Sequence, residues 1–212
     1  MKEWFVKVYE RFLTMFGDVK VFKYPMFILY NPKGYLMKGE DVRQVLSTVQ
    51  HGDILVRGYL NYLDSYFIPG FFSHAGIYVG KNKVVHALAE GVIIEDVLHF
   101  CRCDYMAVIR PSGVTLQERT TAVKRTENCI GKEYDFFFDF ENPNQLCCTE
   151  LAHYAWKFKE GLVDVKPVEK SMFFGLIKKT ILLADDYFFA ENLASVYMSP
   201  YAKENFGRSF RT

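Results

Sequence analysis

An α+β fold is what this sequence predicts, and three observations predict it. Short β-prone runs separated by tight-turn residues fill positions 54–109, helical periodicity takes over after 115, and one of the later helices begins directly at a cysteine. At 212 residues the chain can bury one good hydrophobic core and is short for two, so a single domain over 1–212 is expected. Half of the residues are hydrophobic and 24% are charged, which excludes global disorder. Lys plus Arg is 26 against 25 for Asp plus Glu, a balance that argues against a polybasic nucleic-acid binder. Aromatic residues make up 17%, enough to line a groove with rings, although most should fill the core.

From the N-terminus, Phe5, Val8, Tyr9, Phe12, Leu13 and Phe16 recur at helical spacing, so an amphipathic helix is expected over about 1–16. Its polar face mixes Lys2, Glu3, Lys7, Glu10 and Arg11, which suits docking on the body; peripheral membrane contact is the alternative use. The segment lacks the apolar run and small-residue cleavage site of a secretory signal, and no stretch is apolar enough to span a bilayer. Five cysteines, an odd number, lie at spacings unlike CxxC, so free thiols and a cytoplasmic location are expected. The oligomeric state is unknown from sequence.

Residues 18–37, punctuated by Pro25, Asn31, Pro32 and Gly34, read as irregular or briefly extended. Residues 40–49 read as a helix with Val42, Val45, Leu46 and Val49 on one face, broken by Gly52 and Asp53. Strands are expected at 54–56, 75–79, 83–87, 92–95 and 105–109, and the tight turns among them favour a mostly antiparallel sheet. Thr115 and Glu118 form a capping-box pattern opening a helix to about 130, which Gly131 ends. Residues 134–140 are aromatic and read as extended. A further helix starts near Cys148 and stops at Gly161. A C-terminal helical extension from about 162 completes the chain, with a loose segment around Pro167, a helix over about 185–196 and a frayed tail from Pro200.

Cys148 carries the chemistry best. A thiol in the first turn of a helix has unpaired backbone N–H groups beside it, which favour a thiolate and can hold an oxyanion. The neighbouring Cys147 lies about 100° around the helix. Cys147 has Leu151 four residues on where Cys148 has Ala152, so Cys147 is expected to face packing. A nucleophilic thiol needs a base. His74 and His86 sit on adjacent predicted strands, and a hairpin would make their rings neighbours, one taking the proton and the other fixing its tautomer. Either histidine alone suits a structural role as well. Glu150 faces inward as a structural acceptor or reaches the site. Arg57, Tyr59 and Tyr62 are placed to rim a cleft that the loop bearing Asp64 and Tyr66 could cover. His99, Cys101 and Cys103 offer three ligands at awkward spacing, so no metal is expected, and no phosphate-binding loop is present.

Five segments together resemble a known family: GDIL at 52–55, SHAGIYVG at 73–80, KVVHA at 83–87, GKEYDF at 131–136 and CCTEL at 147–151. They are similar to the permuted papain-like cysteine hydrolases of the NlpC/P60 superfamily, in particular the YiiX/YebB-like group. The resemblance implies a permuted papain-like fold with a mostly antiparallel central sheet packed against helices. It implies Cys148 as nucleophile, His74 as base and His86 as third member, with Ser73, Tyr59 and Tyr134 as candidate substrate-binding residues and no cofactor. The related group commonly carries glutamate at the third position, where this chain has His86; Glu90 is the nearby spare. Thr149 stands where serine is usual. The implied activity is cleavage of an amide bond in a small peptide, including a cell-wall-derived one, or in an N-acyl small molecule. The alternatives are a lipid-directed thiol acyl hydrolase or acyltransferase, and a catalytically inactive binding module of the same fold.

Overall fold

The computed structural model describes residues 35–62, 70–136, 144–157 and 177–208, the strands at 19–23, 26–30 and 168–172, and single positions at 4, 7–9, 142, 165 and 167. The expected N-terminal helix lies largely outside the described residues, as do Asp64, Tyr66 and the end of the helix before Gly161.

Six strands form the central sheet: β3 (Ile54–Gly58), β4 (His74–Gly80), β5 (Lys83–Leu88), β6 (Gly91–Asp96), β7 (Tyr105–Pro111) and β10 (Leu193–Met198). Their spatial order is β10-β7-β3-β4-β5-β6, and every pairing is antiparallel. Two separate hairpins accompany it, β1 (Val19–Lys23) with β2 (Met26–Tyr30), and β8 (Val168–Met172) with β9 (Ile177–Ile181). The helices are α1 (Gly39–Thr48), α2 (Val97–Phe100), α3 (Leu116–Glu127), α4 (Cys148–Trp156) and α5 (Pro200–Asn205), with 3-10 turns η1 (Ala184–Phe189) and η2 (Phe206–Arg208).

Alternation along the strands feeds two cores. Ala75, Ile77, Val79, Val85 and Ala87 face α3 and α4, meeting Ala122, Leu151, Ala152, Ala155 and Trp156. Leu55, Tyr78, Val84 and Met106 face the other way, against Val45 of α1, Phe100 of α2, Cys101 and Cys103. Because both faces are covered, β3 is buried at every position and shows no polar alternation.

The GD of the entry motif is a structural device. Gly52 has φ +80°, and a Cβ there would lie 2.8 Å from Trp156 Cζ2. The bare backbone lets the end of α4 dock, with Trp156 Nε1 donating to the Gly52 carbonyl at 3.1 Å. Asp53, fully buried, accepts from Arg110 Nη2 at 2.6 Å, Arg119 Nη1 at 3.2 Å and the Gln50 N–H at 2.8 Å. One carboxylate thereby ties the start of β3 to the end of β7 and to α3.

The expected strands at 54–109 and the capped helix at 115 are all present, the latter with Thr115 and Glu118 bonded reciprocally. The C-terminal third differs. The expected helix over 185–196 is instead η1 followed by β10, which extends the sheet beside β7. A register shift between Ser195 and Tyr197 sends Leu193 to one core and Tyr197 to the other. Such a bulge breaks the period of two, so the strand does not show its alternation in sequence. The loose segment around Pro167 leads into the β8–β9 hairpin, and the supposedly frayed tail contains α5, with Pro200 at its start and Ala202 buried; the stretch at 18–37, read as irregular or briefly extended, holds the two short strands of the β1–β2 hairpin.

Candidate active site

Cys148 is the first residue of α4, and Cys147 is its N-cap. Glu150 Oε2 accepts the Cys147 N–H at 2.7 Å, closing a capping box in the CCTE sequence. Cys147 is buried, and its sulfur lies 3.3 Å from Thr149 Oγ1, as expected for a thiol that faces packing. The Cys148 sulfur sits among three backbone N–H groups, those of Ala75, Thr149 and Cys148 itself, each of which favours its thiolate. Burial outweighs them and pushes the thiol up. The resting form is therefore a neutral thiol, and the expected standing thiolate is corrected by burial.

His74 begins β4, and His86 lies on β5 one register step away, where Gly76 pairs with His86. His74 Nε2 is 2.8 Å from His86 Nδ1. On the next strand, β6, Ile93 pairs with His86, so Glu95 falls on the same face two residues on. Glu95 Oε1 lies 3.0 Å from His86 Nε2, close but off the ring N–H axis. Arg57 completes the line: its Nη1 is 3.7 Å from Glu95 Oε1 and donates to the Phe100 carbonyl at 3.0 Å, with the guanidinium 4.3 Å from the Phe100 ring centre.

This chain of contacts favours one pair of tautomers. A carboxylate can only accept, so the His86 proton belongs on Nε2 and its Nδ1 accepts. His74 must then carry its proton on Nε2, and His74 Nδ1 is left as a lone pair able to take a proton. Burial, then the Arg57 charge, holds the His74 imidazole well below its usual range. His86 is also lowered by burial, with the bond to Glu95 opposing. Burial raises Glu95, but His86 and Arg57 together outweigh it and leave that carboxyl below its usual value. At neutral pH the site holds two neutral rings over an ionised carboxylate.

Gly76 makes the packing possible. A Cβ there would lie 2.9 Å from Val84 Cγ1, 3.0 Å from Phe100 Cε2 and 3.1 Å from His86 Cβ. The ring of Phe100 consequently packs against both histidines, with centroids 5.8 Å from His74 and 5.4 Å from His86.

The structure brings His74 and His86 together as the sequence suggests. Cys148 meets them through the backbone, its sulfur next to the N–H of Ala75, the residue after His74. Ala75 faces α4, whereas His74 points to the Phe100 side. Among the described residues no hydrogen bond joins Cys148 Sγ to His74. Tyr134 lies near Cys148: burial, then the proximity of Cys148 and Cys147, pushes its phenol well above the usual value. Ser73 anchors the entry to β4, its N–H donating to the Arg57 carbonyl at 3.1 Å. Tyr59 packs instead toward the second core, with its ring 5.4 Å from Tyr62 and 6.1 Å from Tyr35. Arg57 and Tyr62, expected at a cleft rim, are buried.

Glu95 and Phe100 were not legible as site residues. Glu90, the spare acid, is exposed in the turn between β5 and β6, and Glu95 is the carboxylate that touches His86. The signal that could have found it is the hairpin register, which puts residue 95 diagonally beside residue 86. All five cysteines are free, and Cys101 and Cys103 are core residues whose thiols burial raises, Cys101 to about 12. Among the described residues no group of three or more His, Cys, Asp or Glu is arranged to hold a metal ion, and no helix is long and apolar enough to cross a membrane.

No curated protein is significantly similar to the chain. Its fold is similar to the crystal structure of the metalloprotein yiiX from Escherichia coli O157:H7, with a TM-score of 0.59 and 17% identity over 72% of this chain and 98% of that one. Residues 48–170 match the family of permuted papain-like amidase enzymes, YaeF/YiiX, C92. That span includes His74, His86, Glu95 and Cys148, and the chain belongs to this family of permuted papain-like amidases.

Proposed function

We propose that the chain is a cysteine amidase in which Cys148 is the nucleophile and His74 the base, acting on a small peptide or an N-acyl small molecule. The observation that carries this reading is the line His74–His86–Glu95, whose first member directly precedes Ala75, the strand residue whose N–H lies near the Cys148 sulfur.

In the proposed reaction the thiol proton moves to His74 Nδ1 as the sulfur bonds to the carbonyl carbon. The oxygen takes up the displaced electron pair, and the N–H groups of Cys148 and Thr149 stabilise it. The imidazolium passes its proton to the leaving nitrogen as the C–N bond breaks, which leaves a thioester on Cys148. Water then attacks with His74 as base, releasing the acid and restoring the thiol. A base bonded only to a second neutral ring would gain little support on becoming charged. Glu95 behind His86 supplies it, which accounts for histidine at a position where relatives commonly use glutamate. The resting thiol and His74 are not hydrogen-bonded, so the proton transfer also requires a movement of the ring or the sulfur.

The test is intact-protein mass spectrometry with a panel of N-acyl dipeptide nitroanilides, with and without liposomes. A transient acyl adduct on Cys148 that disappears in Cys148→Ala and in His74→Ala is the expected result. Adducts with lipid esters alone favour the lipid-directed acyl hydrolase or acyltransferase. No adduct with either class, in protein whose Cys148 reacts no faster than its other thiols, favours the binding module.

A further inference from the structure

η1 lies beyond the family-matched residues 48–170, yet it touches both halves of the site. Tyr187, with no exposed surface, donates its hydroxyl to the carbonyl of Thr149 at 2.7 Å, in the turn that carries Cys148. Two residues earlier, Asp185 is also buried, and its oxygens accept the N–H groups of Phe71 and Phe72 at 2.5 and 2.8 Å, in the segment leading to His74. Gly70 admits this contact. It has φ +116°, and a Cβ there would lie 2.9 Å from Asp185 Oδ2. Phe188 then stacks on Phe72, 5.2 Å between centroids and 11° between planes.

We infer that η1 is a clamp that sets the separation of Cys148 from His74, with Tyr187 and Asp185 as positioning residues. The inference rests on the reading of Cys148 as nucleophile and His74 as base. In a 3-10 turn residues repeat every three, so positions two apart point in different directions. One rigid turn can therefore hold the nucleophile turn with one side chain and the base-bearing strand with another. Both bonds are buried and end on backbone, so they fix chain positions rather than side-chain rotamers. The nucleophile helix is then tied at both ends, by Tyr187 at Thr149 and by Gly52 at Trp156.

The experiment is the pH profile of Cys148 alkylation by iodoacetamide, followed by peptide mapping, in the full chain and in Tyr187→Phe, Asp185→Asn and His74→Ala. Tyr187→Phe keeps the ring and loses only the hydroxyl. Misplacement of the sulfur by about an ångström is expected to slow alkylation about 10–100-fold and to erase the His74-dependent limb of the profile, with the melting temperature and Cys129 labelling little changed. Asp185→Asn, which keeps one acceptor oxygen, is expected to have a milder effect in the same direction, and it reads the second arm should Tyr187→Phe fail to fold. Wild-type profiles in folded Tyr187→Phe and Asp185→Asn, alongside a changed profile in His74→Ala, overturn the clamp and leave the catalytic pair standing. A His74→Ala profile identical to wild type overturns the catalytic pair itself, and the clamp with it.

Discussion

Glu150→Gln should make the protein more stable in alkali and leave it unchanged in acid. Glu150 is buried beside Asp135, with one oxygen on the Cys147 N–H. Burial pushes its carboxyl from 4.5 up to about 7; the charge of Asp135 and a shared hydrogen bond add to this, while the bonds from Cys147 oppose it. In the unfolded chain the same group ionises near its ordinary value of about 4.3. Between the two values the folded state holds a proton that the unfolded state has lost. The contribution is thus fully present below the unfolded pKa, declines as pH rises through about 7, and levels off above it. A displacement of that size corresponds to about 3 kcal/mol. Glutamine keeps the shape and an oxygen for the Cys147 N–H, offers N–H to Asp135, and never ionises. Urea unfolding at about pH 3, below the unfolded value, should give the variant and the wild type equal stabilities, and at pH 8 the variant should be ahead by as much as about 3 kcal/mol. The Glu150 charge also raises the Cys148 thiol, so alkylation of Cys148 at pH 8 should speed up in the variant. A variant weaker than wild type by the same margin at both pH values would refute the reasoning, because it would mean that the carboxyl is ionised throughout.

Glu95→Gln keeps an acceptor oxygen but removes the negative charge behind His86, and should lower kcat about 10–100-fold, the worth of charge assistance in a hydrogen bond. It should also move the acid limb of the pH–rate profile further down, since an imidazolium at His74 loses its support; a limb that rises contradicts the relay. In the wild type, both imidazoles are held below their usual range, so activity should persist as pH falls past 6.5 and fail only lower. Gly76→Ala should cost about 1–3 kcal/mol through overpacking, with part of the loss recovered by adding Phe100→Leu; thermal melts that show Gly76→Ala neutral would exclude the tight fit. Asp53→Ala strands Arg110 and should cost about 3–5 kcal/mol in urea unfolding, while activity per folded molecule is retained.

The parts of the molecule governed by local chemistry could be read directly. Thr115 and Glu118 cap α3 because a hydroxyl and a carboxylate three residues apart satisfy each other's N–H partners. The turns at Gly80 and Gly91, both with positive φ, delimit the strands that carry the two histidines. The helical angle expected between Cys147 and Cys148 does not apply, because Cys147 is the N-cap with extended backbone. What could not be read depends on tertiary register. Glu95 becomes a site residue only once His86 is paired with Ile93. β10 hides its period behind a bulge, and Asp185 finds Phe71 and Phe72 across more than 110 positions of chain. The neutral state of Cys148 belongs to the same class. The helix start favours a thiolate on local grounds, and only the burial of the sulfur against β4 reverses the preference.

That reversal bears on how such a site can work. A resting thiolate paired with an imidazolium would place two charges in a region where burial disfavours both, on Cys148 and on His74 alike. In the proposed mechanism the neutral pair avoids that cost in the ground state and creates the charges only as the carbonyl is attacked, when the oxyanion would meet the N–H groups of α4 and the imidazolium would meet His86 and Glu95. The stabilising groups then act on the transition state more than on the resting enzyme, which is the condition for binding energy to appear in the rate. The arrangement makes a specific demand on the fold: the N–H groups, the ring pair and the carboxylate must already be in place before any charge forms. Capping by Glu150, the tight fit at Gly76 and the docking of Trp156 on Gly52 each serve that demand by fixing backbone or ring positions without adding a charge at the sulfur, except for Glu150, whose raised carboxyl keeps it mostly neutral below about pH 7.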